Sequence, residues 1–187
     1  MKYVNLTVGF AALLFASQLF AGEYLVKPYI GAHVKVQRMG LQSGYGRDSF
    51  KKNIPGMDVV LGARVHNALS LEVGTHFSKW AKLNGNQSRH ASTFGRALGH
   101  LPLSDRMDFL FGMGLSFMNL DFKLKGIPQA HMIRKPVPHA VIGTKVNLTD
   151  WAAIRLLGSV ESTKSRSSDV IRTNHGHALH GGLVASF

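Results

Sequence analysis

The segment HALHGGLVASF, residues 177–187, decides how the rest of the sequence is read. Taken with period two, Leu179, Gly181, Leu183, Ala185 and Phe187 share one face, and Ala178, His180, Gly182, Val184 and Ser186 share the other. Alternation of this kind marks a β-strand, because successive side chains of an extended chain point to opposite sides. The apolar face runs out to an aromatic residue at position 187, where soluble domains ordinarily fray into polar or small residues. Such a strand needs an apolar surround along its whole length.

The same alternation recurs seven more times. Residues 28–38 set Ile30, Ala32, Val34 and Val36 against Tyr29, His33, Lys35 and Gln37, and residues 57–66 set Val59, Leu61, Ala63 and Val65 against Gly62, Arg64 and His66. Residues 69–80 oppose Leu69, Leu71, Val73 and Phe77 to Ser70, Glu72, Gly74, His76 and Ser78. In 90–101 the pattern is less regular, with Phe94 and Leu98 sharing a face with Arg96. Phe109, Phe111, Met113, Leu115 and Phe117 lie opposite Gly112, Gly114 and Ser116 in 107–119. Residues 137–148 oppose Ala140, Ile142 and Val146 to His139, Gly143, Lys145 and Asn147; residues 151–161 oppose Ile154, Leu156 and Val160 to Arg155, Ser159 and Glu161. No segment after residue 21 fits a helical period better.

Connection lengths alternate too. Asn67-Ala68, the PLSDR of 102–106 and Thr149-Asp150 are short; 39–56, 81–89, 120–136 and 162–173 are long and polar. Tight turns on one rim and loops on the other predict an antiparallel up-and-down meander of eight strands, which closes into a barrel. A lipocalin-like soluble barrel and a transmembrane barrel both fit alternation. The mixed face separates them: it gathers Lys35, Arg64, Glu72, Arg96, Lys145, Arg155 and Glu161 with several Gly and His, while the other face is almost wholly aliphatic and aromatic. A polar packed interior inside an apolar outer band is the transmembrane arrangement, and closure leaves no unpaired edge in lipid.

Residues 1–21 carry Lys2, an apolar run from Val8 to Phe20 and a small residue, Ala21, at a cleavage-like position. The expectation is a signal peptide at 1–21 and one barrel domain at 22–187. With 22 Lys+Arg against 10 Asp+Glu the formal net charge is +12, and there is no cysteine for a disulfide framework. Basic composition first suggests nucleic acid, but no nucleic-acid motif or basic helix is present, so the charge is read as facing an anionic surface outside the cytoplasm.

An export signal, eight alternating strands with tight turns on one rim, and a terminal strand ending LVASF together resemble the small eight-stranded outer-membrane β-barrel family, which includes OmpA-like transmembrane domains and the OmpX/Ail and opacity-type proteins. The resemblance spans residues 24–187. It implies a monomer in the bacterial outer membrane, surrounded by outer-membrane lipids and lipopolysaccharide. It also implies that Leu179, Leu183 and Phe187 form the signal read by the barrel assembly machinery. Ala185 departs from the family, which often has a second aromatic there.

Candidate chemistry is sparse. His175, His177 and His180 cluster, but parity turns His180 away from the other two, and no metal, cofactor or catalytic site is expected. Ser78 with His76 and Ser92 with His90 are the pairs that a lipid A-modifying enzyme would use, yet i, i+2 spacing is also ordinary alternation. The interior charges say more. An eight-stranded barrel is just wide enough for side chains to fill, and buried charges must be paired. Arg64, Glu72, Arg96, Lys145 and Arg155 are therefore expected to form an interior network around Glu72, read as the one mid-strand acid with Arg64 beside it. The network predicts a plug; a small porin-like channel is the alternative. Finally, the long connections hold Arg47, Lys51, Lys52, Lys79, Lys82, Arg89, Lys123, Lys125, Arg134, Lys135, Lys164, Arg166 and Arg172 against Asp48, Asp121 and Asp169. A basic patch centred on Lys51, Lys52, Arg134, Lys135, Lys164 and Arg166 fits two roles: envelope stabilisation through lipopolysaccharide phosphates, or adhesion to acidic host glycans.

Overall fold

The computed structural model describes residues 26–43, 49–83, 86–123, 131–162, 165–166, 171–173 and 176–187. The segment expected to be a signal peptide, 1–21, lies outside the described residues. Among the described residues every regular element is a strand: β1 (Lys27–Ser43), β2 (Ser49–His66), β3 (Leu69–Ser78), β4 (Ala81–Leu83), β5 (Asn86–Ser104), β6 (Met107–Lys123), β7 (His131–Asn147), β8 (Ala152–Glu161), β9 (Ser165–Arg166), β10 (Ile171–Thr173) and β11 (Gly176–Ser186).

Eight of these form a closed antiparallel barrel. Each long strand pairs with the next, in the order β1, β2, β3, β5, β6, β7, β8, β11, and β11 returns to β1. The closing seam runs from Tyr29 opposite Ser186 to Arg38 opposite His177. Its last bond is donated by the Phe187 amide to the Pro28 carbonyl at 3.1 Å. The terminal strand is thus the one that removes the sheet's edges. β4 continues β3 alongside β5, while β9 and β10 pair above the barrel with β10 against β1.

Side-chain parity follows the alternation. Ile30, Val34, Val36, Phe77, Phe111, Met113, Leu115, Phe117, Ile142, Leu156, Leu179 and Leu183 all lie exposed on the outside. On β6 the outward apolar series runs from Met107 to Phe117. Ten steps of about 3.4 Å at a tilt of about 40° give a height of roughly 26 Å, which matches the ~25 Å apolar band of a transmembrane barrel. Leu69, Leu101, Leu103, Leu148, Trp151 and Phe187 are exposed at the short-turn rim.

The structure corrects the long connections. Residues 39–43, 49–56, 81–83, 86–89, 120–123 and 131–136 are strand, so the sheet continues well past the apolar band. These stretches are rich in polar residues and alternate weakly, so in sequence they look like loop. At the other rim the turns are tight: Asn67-Ala68 and Asp105-Arg106 are turn residues, and Thr149 Oγ1 accepts from the Ala152 amide at 2.9 Å to close the third.

Candidate functional site

Glycines decide how closely the inner side chains can pack. Tyr29 lies directly opposite Gly62 on the neighbouring strand, and a Cβ at Gly62 would fall 2.3 Å from the Tyr29 ring. Gly74 stands in the same relation to Phe94, whose ring would meet a Cβ at 2.5 Å. Both aromatic rings therefore lie flat over a neighbouring strand, and Tyr29 is thereby aimed at the barrel axis.

There it meets Glu72. Tyr29 Oη donates to Glu72 Oε1 at 2.7 Å, Arg96 Nε donates to Oε2 at 2.5 Å, and Arg155 Nη1 donates to Oε1 from the far wall. Arg96 is placed by register, since it pairs directly with Glu72 across β3 and β5. Its guanidinium also stacks 5.0 Å from the Phe94 ring, and that of Arg155 lies 5.4 Å from Tyr29. All four polar groups are buried, Arg155 to 1% exposure. The carboxylate is met by two guanidiniums and a phenol, which is what desolvation of such a charge requires.

Of the five residues expected in this network, the structure brings three together: Glu72, Arg96 and Arg155. Arg64 and Lys145 instead approach Asp108 near the short-turn rim, at 3.8 and 3.6 Å, with His100 Nδ1 at 3.4 Å. Glu72 is not the one interior acid either: Asp58, Asp108 and Glu161 are buried as well. Asp58 and Glu161 build a second network toward the long-strand end. Lys35 Nζ donates to Glu161 Oε1 at 3.2 Å and Gln37 Nε2 to Oε2 at 3.0 Å, while Gln37 Oε1 sits 2.8 Å from His90 Nδ1. Asp58 bridges two histidines, His76 and His180, at 2.6 Å each, and His180 Nε2 lies 2.7 Å from Ser159 Oγ. Sequence parity already held the signal: Asp58 has the parity of Gly62 and Arg64.

The serine–histidine pairs read from the sequence do not form. His76 turns to Asp58, and Ser78 Oγ accepts the His90 amide at 2.7 Å. Ser70–His100–Asp108 and Ser159–His180–Asp58 are connected in the order of a hydrolytic triad, but Ser70 is fully buried and Ser159 nearly so. Inside the barrel Ser159 borders a cavity of about 10 Å³ that it shares with Lys35, Arg96, His139 and Glu161. Both are polar networks packed inside the barrel, and Ser70 and His100 also line the cavity at the short-turn rim. Among the described residues no group of three could hold a metal ion; His177 is exposed outside, His180 is inside, and His175 lies outside the described residues.

A wider cavity, about 540 Å³, opens at the short-turn rim. It is bounded by Lys27, Arg64, Arg106 and Lys145, with Tyr29 and Arg155 at its floor. Beyond that floor the Glu72 cluster fills the lumen.

The expected basic patch falls on the opposite end. Lys51 and Lys52 lie on β2 with backbones paired to Gly40 and Met39, Arg134 and Lys135 lie on β7 opposite Asn119 and Met118, and Arg166 lies on β9 opposite Arg172. Lys164 lies outside the described residues. Close by, Arg89 is engaged by Asp121 at 2.6 Å and stacks 5.0 Å from the Trp80 ring. Leu179, Leu183 and Phe187 are 68%, 61% and 77% exposed along the outer face of β11, as a lipid-facing terminal strand requires.

No protein-family model matches the sequence, and no curated protein does. Solved structures do. The chain is similar to Neisserial surface protein A (NspA) at 15% identity and a TM-score of 0.69, over 86% of this chain and 97% of that one. It is also similar to Ail, the attachment invasion locus protein of Yersinia pestis, in complex with the heparin analogue sucrose octasulfate. There the identity is 13% and the TM-score 0.58, over 87% of this chain and 99% of that one. The N-terminal β-barrel domain of Pseudomonas aeruginosa OprF is similar at 10% identity and a TM-score of 0.55, over 83% and 97%. At these identities the likeness is one of fold: the chain has the architecture of the eight-stranded outer-membrane barrels.

Proposed function

We propose that the protein resides in the bacterial outer membrane and acts there through its long-strand end, attaching to acidic glycans. The carrying observation is where the acids are. Four of the ten carboxylates, Asp58, Glu72, Asp108 and Glu161, are buried inside the barrel. Asp105 and Asp150 sit at the short-turn rim. At the other end the only acids in the sequence are Asp48, Asp121 and Asp169, and Asp121 is engaged by Arg89. In the sequence, the connections at that end hold thirteen Lys and Arg against these three acids, and cationic side chains bind polyanions through salt-sensitive contacts. The Ail structure, whose ligand is a heparin analogue, supports a sulfated glycan as the class of partner.

Binding of cells displaying the protein to immobilised heparin, measured against salt, tests this. Neutralising Lys51, Lys52, Arg134 and Lys135 together is expected to abolish binding while heat-modifiable gel mobility shows the barrel intact. Undiminished binding refutes the reading. Absent glycan binding together with leakier, detergent-sensitive cells favours envelope stabilisation instead, and an altered lipid A mass spectrum on expression favours an enzyme.

A further inference from the structure

A second site lies on the outside of the wall, where neighbouring ladder rows line up across five strands. The upper row runs Asn53, Arg38, His177, Val160 and Ala140, each paired with the next. The row beneath it runs Val36, Leu179, Gly158 and Ile142, paired in the same way. Gly158 points outward between larger neighbours and leaves a gap. These residues bound a groove of about 500 Å³ on the lipid-facing surface, a volume within the range of ligand pockets.

The groove is divided by chemistry. Its lower part, Val36, Leu179, Ile142, Val160 and Gly158, is apolar and belongs to the transmembrane band. Its upper edge is polar, formed by Asn53, Arg38 and His177, all exposed. Arg38 is distinctive there. Arg89, at the same end of the barrel, is satisfied by Asp121 and Trp80. Arg38 has no ion pair or hydrogen bond among the described residues, and the nearest interior acid, Glu161, is committed to Lys35 and Gln37 on the other side of the wall. An outward-facing guanidinium at the edge of the hydrocarbon needs an anion, and phosphate is the group whose geometry matches its fork of donors. Only lipid reaches that place from outside the barrel.

We infer that the groove over Gly158 is a specific site for one phosphate-bearing membrane lipid, its acyl chain lying between Leu179, Ile142 and Val160 and its phosphate held by Arg38 with His177 and Asn53 beside it. The site rests on the membrane placement proposed above but not on glycan binding. None of its lining residues is among the four that the glycan test neutralises, so the two readings fail independently.

Native mass spectrometry of the delipidated protein in detergent, titrated with phosphatidylglycerol or with diacylglycerol of the same chains, reads it directly. One phosphatidylglycerol per chain is expected, at least tenfold preferred over diacylglycerol. Arg38→Gln should erase the preference while leaving weak binding of both. Gly158→Leu should abolish both, since it fills the groove; its Cβ would come no closer than 3.8 Å to any neighbour, so the wall tolerates it. Gly158→Ala should weaken both partially, and it serves if the leucine variant fails to fold. Millimolar inorganic phosphate should not displace the lipid, and heparin binding should be parental in every variant. Parental lipid stoichiometry and selectivity in Arg38→Gln and in the Gly158 variants would overturn the proposal. So would displacement by phosphate alone, which would make the place an ion site without a chain.

Discussion

Removing the Glu72 carboxylate should be the most damaging single change available in the barrel. In Glu72→Ala, Arg96 and Arg155 both lose their carboxylate partner, and Tyr29 loses its acceptor. The Glu72 side chain is fully buried and those of Arg96 and Arg155 are 3% and 1% exposed, so solvent replaces little of this. Breaking a buried pair by deleting one partner costs about 3–5 kcal/mol. Here two guanidiniums are stranded at once, which places the expected loss at the upper end, about 5 kcal/mol. Glu72→Gln keeps the volume and an acceptor for Tyr29 and should lose roughly half as much. The pair Glu72→Ala with Arg155→Leu should be less destabilised than Glu72→Ala alone, because one stranded charge is gone. Guanidinium unfolding in lipid vesicles, followed by Trp80 and Trp151 fluorescence with heat-modifiable mobility as a second probe, gives all three values. If Glu72→Ala unfolds within about 1 kcal/mol of the parent, the pairing scheme is wrong.

Gly62→Val should drive Tyr29 off its seat against the wall and cost about 1–3 kcal/mol, read in the same unfolding assay; a parental midpoint would show that the ring does not depend on the glycine. Met113→Arg, in the middle of the outer band at 74% exposure, should cost about 2–4 kcal/mol in lipid but far less if the outer face were bathed in water. Planar-bilayer recording should show no stable single-channel currents in the parent, since the Glu72 cluster occupies the lumen; sustained currents would establish the channel reading.

Parity was legible in the sequence because lipid demands apolar side chains on every outward position, and Ile30 through Val36 or Phe109 through Phe117 keep to it without exception. Register was not. Nothing in a strand's own sequence states which residue faces which across the ladder, so Arg64 was matched to Glu72 although the register places Gly62 opposite Glu72 and Arg64 opposite Ser70. Arg155 reaches the same carboxylate from the far wall, a contact that only closure creates. Asp58 lies within the 57–66 strand, but its polar face is read from Gly62 onward, which leaves this acid out of the interior set. The polar strand extensions are not legible because their sequence lacks the period-two apolar alternation that marks a strand.

Those cross-barrel contacts also govern when the protein becomes itself. Arg155 and Glu72 are 83 residues apart, Asp58 and His180 122, and Lys35 and Glu161 126. A sheet of six or seven strands has already placed most of these charges on its future inner face but has not yet brought the opposite wall to them. They must remain hydrated until β11 meets β1. Zipping that seam exchanges water for partners across the lumen in one event, so the last strand acts as a latch, and a partly assembled barrel rests only on pairs between neighbouring strands, such as Glu72 with Arg96 and Asp58 with His76.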